Sequence, residues 1–203
     1  MFKSVRASVL NTELIHKRHE RLARASAYLF RRKGYYNTTV AEIARLARIS
    51  VGSVYRYARS KEDILFLIMS QIMGHYEVRV RPIVAEPLPP KEKLIRFVDA
   101  YIRHIDQDQD GVMVLYRDAH VVGKRIRSGL IQADRAIVGD ILEIVRHGVA
   151  QGIFRALDPD MVAHNIIAVS HVWVLRRWRF PRDYTVSDYI RAQIPLILAQ
   201  LGA

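Results

Sequence analysis

The sequence predicts an all-α fold of about nine helices. Apolar residues recur at spacings of three and four along most of the chain, which is the period of one helix face. No segment combines apolar–polar alternation with an Asn-Gly type of turn, so strands and hairpins are not expected. Half of the 203 residues are hydrophobic and 26% are charged, a composition that allows a buried core and excludes a disordered chain.

The first third of the chain carries the boundary signals of four helices. The first helix has one apolar face and then a glycine that can end it, and these residues are Leu22, Ala25, Ser26, Leu29, Phe30 and Gly34. Thr39 and Glu42 have the spacing of a capping box, which starts a second helix at residue 40. Ser50 can cap a short third helix, and Ser60 precedes the residues that open a long helix towards Val80.

A proline-rich segment divides the chain. Four of the seven prolines lie between Pro82 and Pro90. Because proline lacks a backbone donor and disfavours helix at the preceding residue, the fourth helix must end near Val80. Beyond this break we expect helices at about 91–106, 112–121, 125–150, 159–179 and 186–200. Asp158 and Pro159 open one of these helices, whereas Pro195 is expected to kink the last.

Positive charge is concentrated at the N-terminal end. The net charge is +12, and residues 1–63 contribute +9 of it from 14 basic and 5 acidic side chains. Such a segment usually faces a polyanion, either nucleic acid or an anionic membrane surface, although a solvated basic face has the same composition.

The composition excludes several functional classes. Without cysteine, the chain has no disulfide, thiolate nucleophile, iron–sulfur cluster or cysteine-bound zinc. The longest uncharged run, 161–175, has 15 residues, fewer than the roughly 18 that a membrane-spanning helix needs. No apolar signal-peptide core is visible at the N-terminus, so we expect a soluble cytoplasmic protein.

No cofactor or metal site is predicted. The eight histidines show no zinc-ligand spacing, and no phosphate-loop or nucleophile-elbow motif is present. The run 106–111 imitates the start of a calcium loop, but Arg117 stands where a bidentate glutamate would be needed. Asp118 and His120 are the only nearby acid–base pair, so we expect a protein that is not an enzyme.

Two short helices with a three-residue connection carry the clearest functional signal. The helix from Val40 to Ala47 is followed by the turn 48–50 and then by the helix from Val51 to Tyr57. Their predicted apolar interior consists of Ala41, Ile43, Ala44, Ala47, Ile49 and Val54. This arrangement is typical of a helix-turn-helix, whose second helix enters the major groove of DNA.

The segment 29–65 also carries a family pattern. Its elements are Phe-x-x-x-Gly-Tyr, Thr-Thr-x-x-x-Ile-Ala, Ser-x-Gly-x-x-Tyr and Ser-Lys-Glu, and they fall at Phe30, Gly34, Tyr35, Thr38, Thr39, Ile43, Ala44, Ser50, Gly52, Tyr55, Ser60 and Lys61. The pattern resembles the N-terminal domain of TetR-family (tetracycline-repressor-like) transcriptional regulators. The resemblance implies a DNA-binding domain at 1–62 and a ligand-binding and dimerisation domain at 63–203. It further implies a ligand-released repressor that binds a palindromic operator in double-stranded DNA as a homodimer.

The same resemblance assigns roles to individual residues. Residues expected at the DNA backbone are Thr39, Tyr55, Tyr57 and Lys61, those facing base edges are Ser50, Val51, Gly52, Ser53 and Arg56, and Thr38 completes the predicted interface. Packing inside the domain is the alternative role for Val51 and Tyr55. The family's turn glycine is Arg48 here, which either strains a left-handed backbone or adds a phosphate contact. A candidate basic arm comprises Lys3, Arg6, Lys17 and Arg18.

The second half is expected to bind an effector and a second subunit. Aromatic, apolar and histidine residues at helical spacing form either a ligand cavity or plain core, and they are Phe97, Tyr101, Ile105, Met113, Tyr116, His120, Ile141, Val145, His171 and Trp178. The helix predicted at 159–179 is apolar on more than one face, as expected where it pairs with a second subunit.

The effector itself is left open between two chemistries. The run from Leu175 to Phe180, which contains Arg176, Arg177 and Trp178, resembles the C-terminal region of TetR-type regulators of fatty-acid and acyl-CoA metabolism. By this resemblance, the arginines would hold the phosphates of an acyl-CoA. Arg125, Arg127 and Arg179 would extend that cationic set. A helix turn neutralised by arginines is the alternative for this run, and another hydrophobic inducer is the alternative ligand.

Two other classes of function compete with this interpretation. A basic helical protein on an anionic membrane surface would account for the N-terminal charge, but not for the capped helix-turn-helix. A small helical enzyme acting on an acyl-CoA would need paired acid and base groups in the cavity.

Overall fold

A computed structural model describes residues 12–118 and 123–203, and this part of the chain is helical without strands. Its α-helices are α1 (Thr12–Lys33), α2 (Val40–Ala47), α3 (Val51–Tyr57), α4 (Lys61–Arg79), α5 (Pro90–Gln107), α6 (Gln109–Asp118), α7 (Lys124–Ala150), α8 (Pro159–Leu175) and α9 (Val186–Leu201). Short 3-10 turns cover Arg81–Ala85 and Arg177–Arg179. The predicted all-α fold of about nine helices is confirmed over these described ranges.

Most predicted helix boundaries agree with the structure. Glu42 N donates to Thr39 Oγ1 at 3.2 Å and Thr39 N donates to Glu42 Oε2 at 2.9 Å, which is the predicted capping box. Ser53 N donates to Ser50 Oγ at 3.1 Å, as expected for a capped α3. Gly34 follows α1 with a φ of +88°, a conformation that glycine adopts without strain.

Two boundaries differ from the prediction. α6 begins at Gln109 rather than at residue 112, so the acidic run before Gly111 is largely helical. α8 ends at Leu175 rather than at residue 179, because Arg176 leaves the helix and the next three residues form a 3-10 turn. Pro195 lies inside α9, as predicted.

The described residues form two compact units. The N-terminal unit contains those of 1–74 and 110–130, and the C-terminal unit contains those of 75–109 and 131–203. The sequence-based division at 62/63 instead separates the chain at the start of α4. No helix in the described ranges is long and apolar enough to cross a membrane.

The core of the N-terminal unit holds the helix-turn-helix in place. Leu22 and Phe30 of α1 are buried together with Ile43 of α2 and with Val54 and Tyr57 of α3. Of the six residues predicted to form the interior of the motif, four are buried, namely Ile43, Ala44, Ala47 and Val54. Ile49 is half-buried and Ala41 is exposed. Burial of the inner faces of three helices leaves the outer face of α3 as the surface of this unit.

α5 is the central helix of the C-terminal unit and packs against α8 and α9. Its buried face carries Phe97, Tyr101 and Ile105. Trp173 of α8 is buried against the rings of Phe180, Tyr184 and Tyr189, and its Nε1 donates to Asp106 Oδ1 at 2.7 Å, so the indole is anchored at both its apolar and polar ends.

Candidate nucleic-acid interface

The outer face of α3 is the first candidate site. Val51, Gly52, Tyr55 and Arg56 are exposed on this helix, whereas Val54 is buried. Tyr55 is 53% exposed, so neither it nor Val51 is a core residue of this unit. Seven residues of helix extend about 10 Å, a length that fits the major groove of about 12 Å width.

Small residues keep the start of α3 slender. Ser50 Oγ and Ser53 Oγ lie 2.8 Å apart, and Gly52 has no atom within 4 Å of the position that a Cβ would occupy. The backbone of this turn can therefore approach a base pair more closely than a bulkier sequence would allow. The hydroxyl groups supply donors and acceptors for base edges.

The N-terminus of α2 is the second candidate contact. Thr39 is exposed at the N-cap, where free backbone N–H groups favour a phosphate oxygen. Its neighbour Thr38 was also predicted at the interface, but that residue is buried and its hydroxyl donates to the carbonyl of Gly34 at 2.8 Å. The structure therefore places Thr38 in the connection between α1 and α2.

Lys61 has a different position from the one predicted. Its ammonium group donates to the carbonyls of Tyr35 at 2.6 Å, Tyr36 at 3.1 Å and Thr38 at 3.1 Å, and it lies 4.8 Å from the centre of the Tyr35 ring. A lysine ammonium has three N–H donors, and these carbonyls use all of them. Lys61 therefore anchors the α1–α2 loop, which corrects the predicted phosphate contact.

We expect Lys61→Met to lower the free energy of unfolding by about 2 kcal/mol, because charge-assisted hydrogen bonds to three carbonyls are lost. Chemical denaturation measures this change, with Lys91→Met on an exposed lysine as the control. The affinity for DNA should fall because the α1–α2 loop is less ordered, whereas the dependence of this affinity on salt concentration should stay unchanged. A stable variant with a reduced salt slope would instead support a direct phosphate contact.

Tyr57 is also a core residue rather than a surface contact. The side chain is fully buried, its hydroxyl accepts a hydrogen bond from Arg18 at 3.1 Å, and its ring meets His19 edge-on at 5.1 Å. A buried phenol cannot present its hydroxyl to DNA, so the predicted phosphate contact is corrected here too. Of the predicted basic arm, Lys17 and Arg18 belong to α1, and Lys3 and Arg6 lie outside the described residues.

Arg48 adopts the left-handed conformation that the turn requires. Its φ is 56° and its ψ is 46°, and within the described ranges it is the one non-glycine residue with positive φ. Its backbone N–H donates to the end of α2, so this residue is the C-cap. An L-residue in this conformation costs about 1–2 kcal/mol, and the sequence keeps that strain in the middle of the motif.

We expect Arg48→Gly to raise the free energy of unfolding by about 0.5–1 kcal/mol, because glycine removes the steric strain and loses only part of that gain as chain entropy. Thermal denaturation should show a rise of a few degrees at most. Arg48→Ala retains the Cβ and is the matched control, which should show no such gain. Equal stability of both variants would mean that the turn is not strained.

Several predicted effector residues meet inside the C-terminal unit. Phe97 stacks on Tyr101 at 6.0 Å, and Tyr101 Oη lies 2.9 Å from His171 Nε2. The remaining buried members are Ile105, Ile141 and Val145. Phe97, Tyr101 and His171 therefore form an aromatic cluster with one hydrogen-bonded phenol–imidazole pair.

Other predicted members of that set lie elsewhere. Met113 and Tyr116 belong to the N-terminal unit, and Trp178 is 77% exposed, so these three residues do not line the same interior. His120 lies outside the described residues, and Asp118 forms an ion pair with Arg117 at 2.8 Å.

The arginines proposed for a coenzyme A phosphate are divided between roles. The guanidinium of Arg177 donates to the carbonyls of Phe180, Pro181, Arg182 and Tyr184 and stacks on Trp173. The side chain of Arg177 therefore stabilises the backbone of the segment 180–184 that follows α8. Arg125 pairs with Asp63 at 3.0 Å in the N-terminal unit, whereas Arg176 is exposed at the end of α8.

Buried polar groups that the sequence did not reveal accompany this interior. Tyr76 Oη donates to Asp140 Oδ2 at 2.6 Å, and burial raises the pKa of both groups. His104 is buried, its Nδ1 lacks a hydrogen-bond partner within the described ranges, and burial lowers its pKa to about 3. Burial also lowers the pKa of His171 to about 4. No helical spacing distinguishes these residues from ordinary core positions.

Comparison with known proteins identifies the family. Residues 22–68 match the model of bacterial regulatory proteins of the tetR family, and residues 87–178 match a tetracyclin repressor-like C-terminal domain. The HTH-type transcriptional repressor KstR2 of Mycolicibacterium smegmatis is 30% identical over 183 residues, which are 87% of this chain and 86% of that protein. The chain belongs to the tetR family.

Further relatives agree with this membership. The HTH-type transcriptional regulator HbdR of Aromatoleum sp. (strain CIB) is 28% identical over 197 residues, 97% of this chain and 86% of its own. AibR in complex with isovaleryl coenzyme A and operator DNA has the same fold, with a TM-score of 0.75 and 21% identity over 88% of this chain and 97% of AibR. This tetR-family chain is a DNA-binding transcriptional regulator, and regulators of the family bind DNA as dimers.

Proposed function

We propose that this tetR-family regulator is a repressor that holds a palindromic operator as a homodimer and releases it when a hydrophobic effector binds. The observation that carries the proposal is the exposed, capped face of α3 in a chain whose second unit has an apolar, hydrogen-bonding interior. We place its action in the cytoplasm, where operator DNA is accessible.

The DNA contacts follow from the exposed groups of the motif. Arg56 can donate two hydrogen bonds to a guanine, and Ser50 and Ser53 supply hydroxyl groups at the base edges. Thr39 at the start of α2 and Tyr55 on α3 are both exposed, and we propose that their hydroxyl groups contact phosphate oxygens. Val51 offers an apolar contact for a thymine methyl group, and Gly52 permits the close approach.

The dimer is proposed to form through the outer faces of α8 and α9. Exposed residues at helical spacing on these faces are Met161, Asn165 and Ala168 on α8, and Ala192, Pro195, Leu196 and Ala199 on α9. Leu196 is 64% exposed, an unusual position for a leucine unless a second surface covers it. Pairing of these helices across a twofold axis would set two α3 helices about 34–36 Å apart, one turn of DNA.

The effector is proposed to enter the interior around Tyr101. Aliphatic and aromatic residues there suit an acyl chain or a ring, and the Tyr101–His171 pair can exchange its mutual hydrogen bond for one to a carbonyl oxygen. An acyl-CoA combines an apolar tail with such a carbonyl, and AibR, which shares this fold, was captured with isovaleryl coenzyme A and operator DNA. Since Arg177 is engaged with carbonyls, the exposed Arg176 is the better candidate for the coenzyme phosphates.

Effector binding must favour a form whose two α3 helices are wrongly spaced. A change in operator occupancy from 99:1 to 1:99 requires the effector to discriminate between the two forms by about 5.5 kcal/mol. An effector that bound both forms equally would release no DNA.

A thermal-shift panel tests the effector class. The Tm of the purified protein is measured alone and with coenzyme A, acyl-CoAs of increasing length, free fatty acids or aromatic drugs. A ligand at 100 times its Kd adds about 2.7 kcal/mol, which is several degrees for a protein of this size. A shift with acyl-CoAs alone, lost in Tyr101→Phe/His171→Leu, supports the proposal. A shift only with uncharged aromatic compounds would contradict an acyl-CoA effector, but it would still support ligand binding in the interior around Tyr101.

A further inference from the structure

The N-terminal unit contains a concave site away from the face of α3. It is a cleft of about 780 Å³ between one side of α1 and the C-terminal end of α2. Lys17, Arg21, Arg24 and Arg48 line it with four positive charges. Its volume is in the range of pockets that hold small molecules.

Three arginines of this cleft pair with no carboxylate in the part of the chain that the structure describes. Within residues 12–118 and 123–203, the guanidinium groups of Arg21, Arg24 and Arg48 form no hydrogen bond or ion pair. The two lining carboxylates are engaged elsewhere, because Asp110 pairs with Arg31 and Glu20 lies 3.6 Å from His16. The four cations of the cleft outnumber these two carboxylates, and an excess of positive charge around one concavity favours an anionic ligand there.

Arg48 supplies an independent reason to expect a ligand. It is the residue with the left-handed backbone in the turn, a position where glycine would fold without strain. A strained residue that persists beside a cavity is typical of a binding role. Its side chain lines the cleft, and its backbone lies in the turn 48–50 that directly precedes α3.

We propose that this cleft binds phosphate groups, with Arg21, Arg24 and Arg48 as the ligating side chains. Guanidinium forks match phosphate oxygens in a bidentate geometry. The phosphate has two possible carriers, a free phosphorylated small molecule or the backbone of DNA flanking the operator. The ring of Tyr28 and the side chain of Leu46 add apolar surface to the cleft, which suits a free ligand with a base or another flat group.

The first arm of the test uses free phosphates. Inorganic pyrophosphate and ATP are titrated calorimetrically into the full-length protein, into Arg21→Gln/Arg24→Gln and into Arg48→Gly. Saturable binding of one ligand per chain is expected, with at least a tenfold loss of affinity in both variants. Because Arg48→Gly is expected to be more stable than the parent, misfolding cannot account for its loss. Arg45→Gln removes an exposed charge of α2 outside the cleft and should retain binding.

The second arm uses duplex DNA at several salt concentrations. If the phosphate comes from DNA, the free ligands do not bind, and each lost contact reduces the salt slope of operator binding by about 0.9 in Arg21→Gln/Arg24→Gln. Arg45→Gln should leave the slope unchanged. The proposal is overturned if neither arm responds, or if Arg45→Gln responds as strongly as the cleft variants. An α3 variant such as Arg56→Ala separates this result from failure of base recognition, since it leaves the cleft intact.

Discussion

Acidification from pH 7 to pH 5 is expected to lower the free energy of unfolding of the C-terminal unit by about 4 kcal/mol. Burial lowers the pKa of His171 to about 4, and burial with the nearby charges of His75, Arg79 and His171 lowers that of His104 to about 3. Asp108 Oδ2 lies 3.4 Å from His104 Nδ1, but His75 already contacts the same oxygen at 2.8 Å. The Asp108 carboxylate is therefore shared between the two histidines, and burial is the largest influence on the pKa of His104.

The sign of this effect follows from proton linkage. In the unfolded chain both imidazoles take up a proton near pH 6.5, whereas in the folded protein they stay neutral down to about pH 4 and pH 3. Stability is therefore complete above pH 6.5 and is lost as the pH falls below it, by about 1.4 kcal/mol per pH unit for each histidine.

Denaturant titrations followed by the fluorescence of buried Trp173 measure this dependence between pH 5 and pH 8. His104→Leu and His171→Leu should each remove about half of the slope, even where they change the stability at pH 8. His164→Gln removes an exposed imidazole of α8 and serves as the control. Equal slopes in the parent and in His104→Leu would show that this imidazole is accessible to protons in the folded protein.

Leu196→Asp is expected to convert the dimer into monomers and to weaken operator binding by about 100-fold or more. The leucine is exposed at the middle of the proposed α8–α9 interface, and a carboxylate there would be buried without a partner on association. Two linked recognition helices gain about 10²–10⁴ in affinity from binding together, and monomers lose that gain.

Light scattering coupled to size exclusion, followed by operator titration, measures both effects. Val78→Asp introduces the same charge at an exposed apolar residue of the C-terminal unit outside α8 and α9, and it should remain dimeric. A dimeric Leu196→Asp would place the interface on other helices. A monomer that keeps full operator affinity would remove dimerisation from the mechanism.

Local signals predicted the fold well. The capping residues Thr39 and Ser50 act within three residues of themselves, so their spacing is legible in the sequence and is confirmed by the hydrogen bonds. The left-handed conformation of Arg48 is also a local property, since only the geometry of the turn is needed to expect it. The capping box of Thr185 with Asp188 at the start of α9 is equally local.

Roles that depend on tertiary packing were harder to predict. Lys61 matches the family motif, but the carbonyls that receive its three donors lie 23 to 26 residues away in the chain. Tyr57 has the residue type of a surface contact, and only the packing of α1 against α3 shows that its phenol is buried. The pairing of Tyr76 with Asp140 spans 64 residues and has no signature in either helix.

Recovery of bound sequences from fragmented genomic DNA by the purified protein tests operator recognition by the dimer without assuming an operator. We expect a palindrome whose half-sites are separated by about one turn of DNA, and its enrichment should disappear in Arg56→Ala and in Leu196→Asp. A return of this enrichment to background with the ligand found in the thermal-shift panel would complete the case for a ligand-released regulator. Recovery of fragments without a shared palindrome, at a level unchanged in both variants, would contradict it.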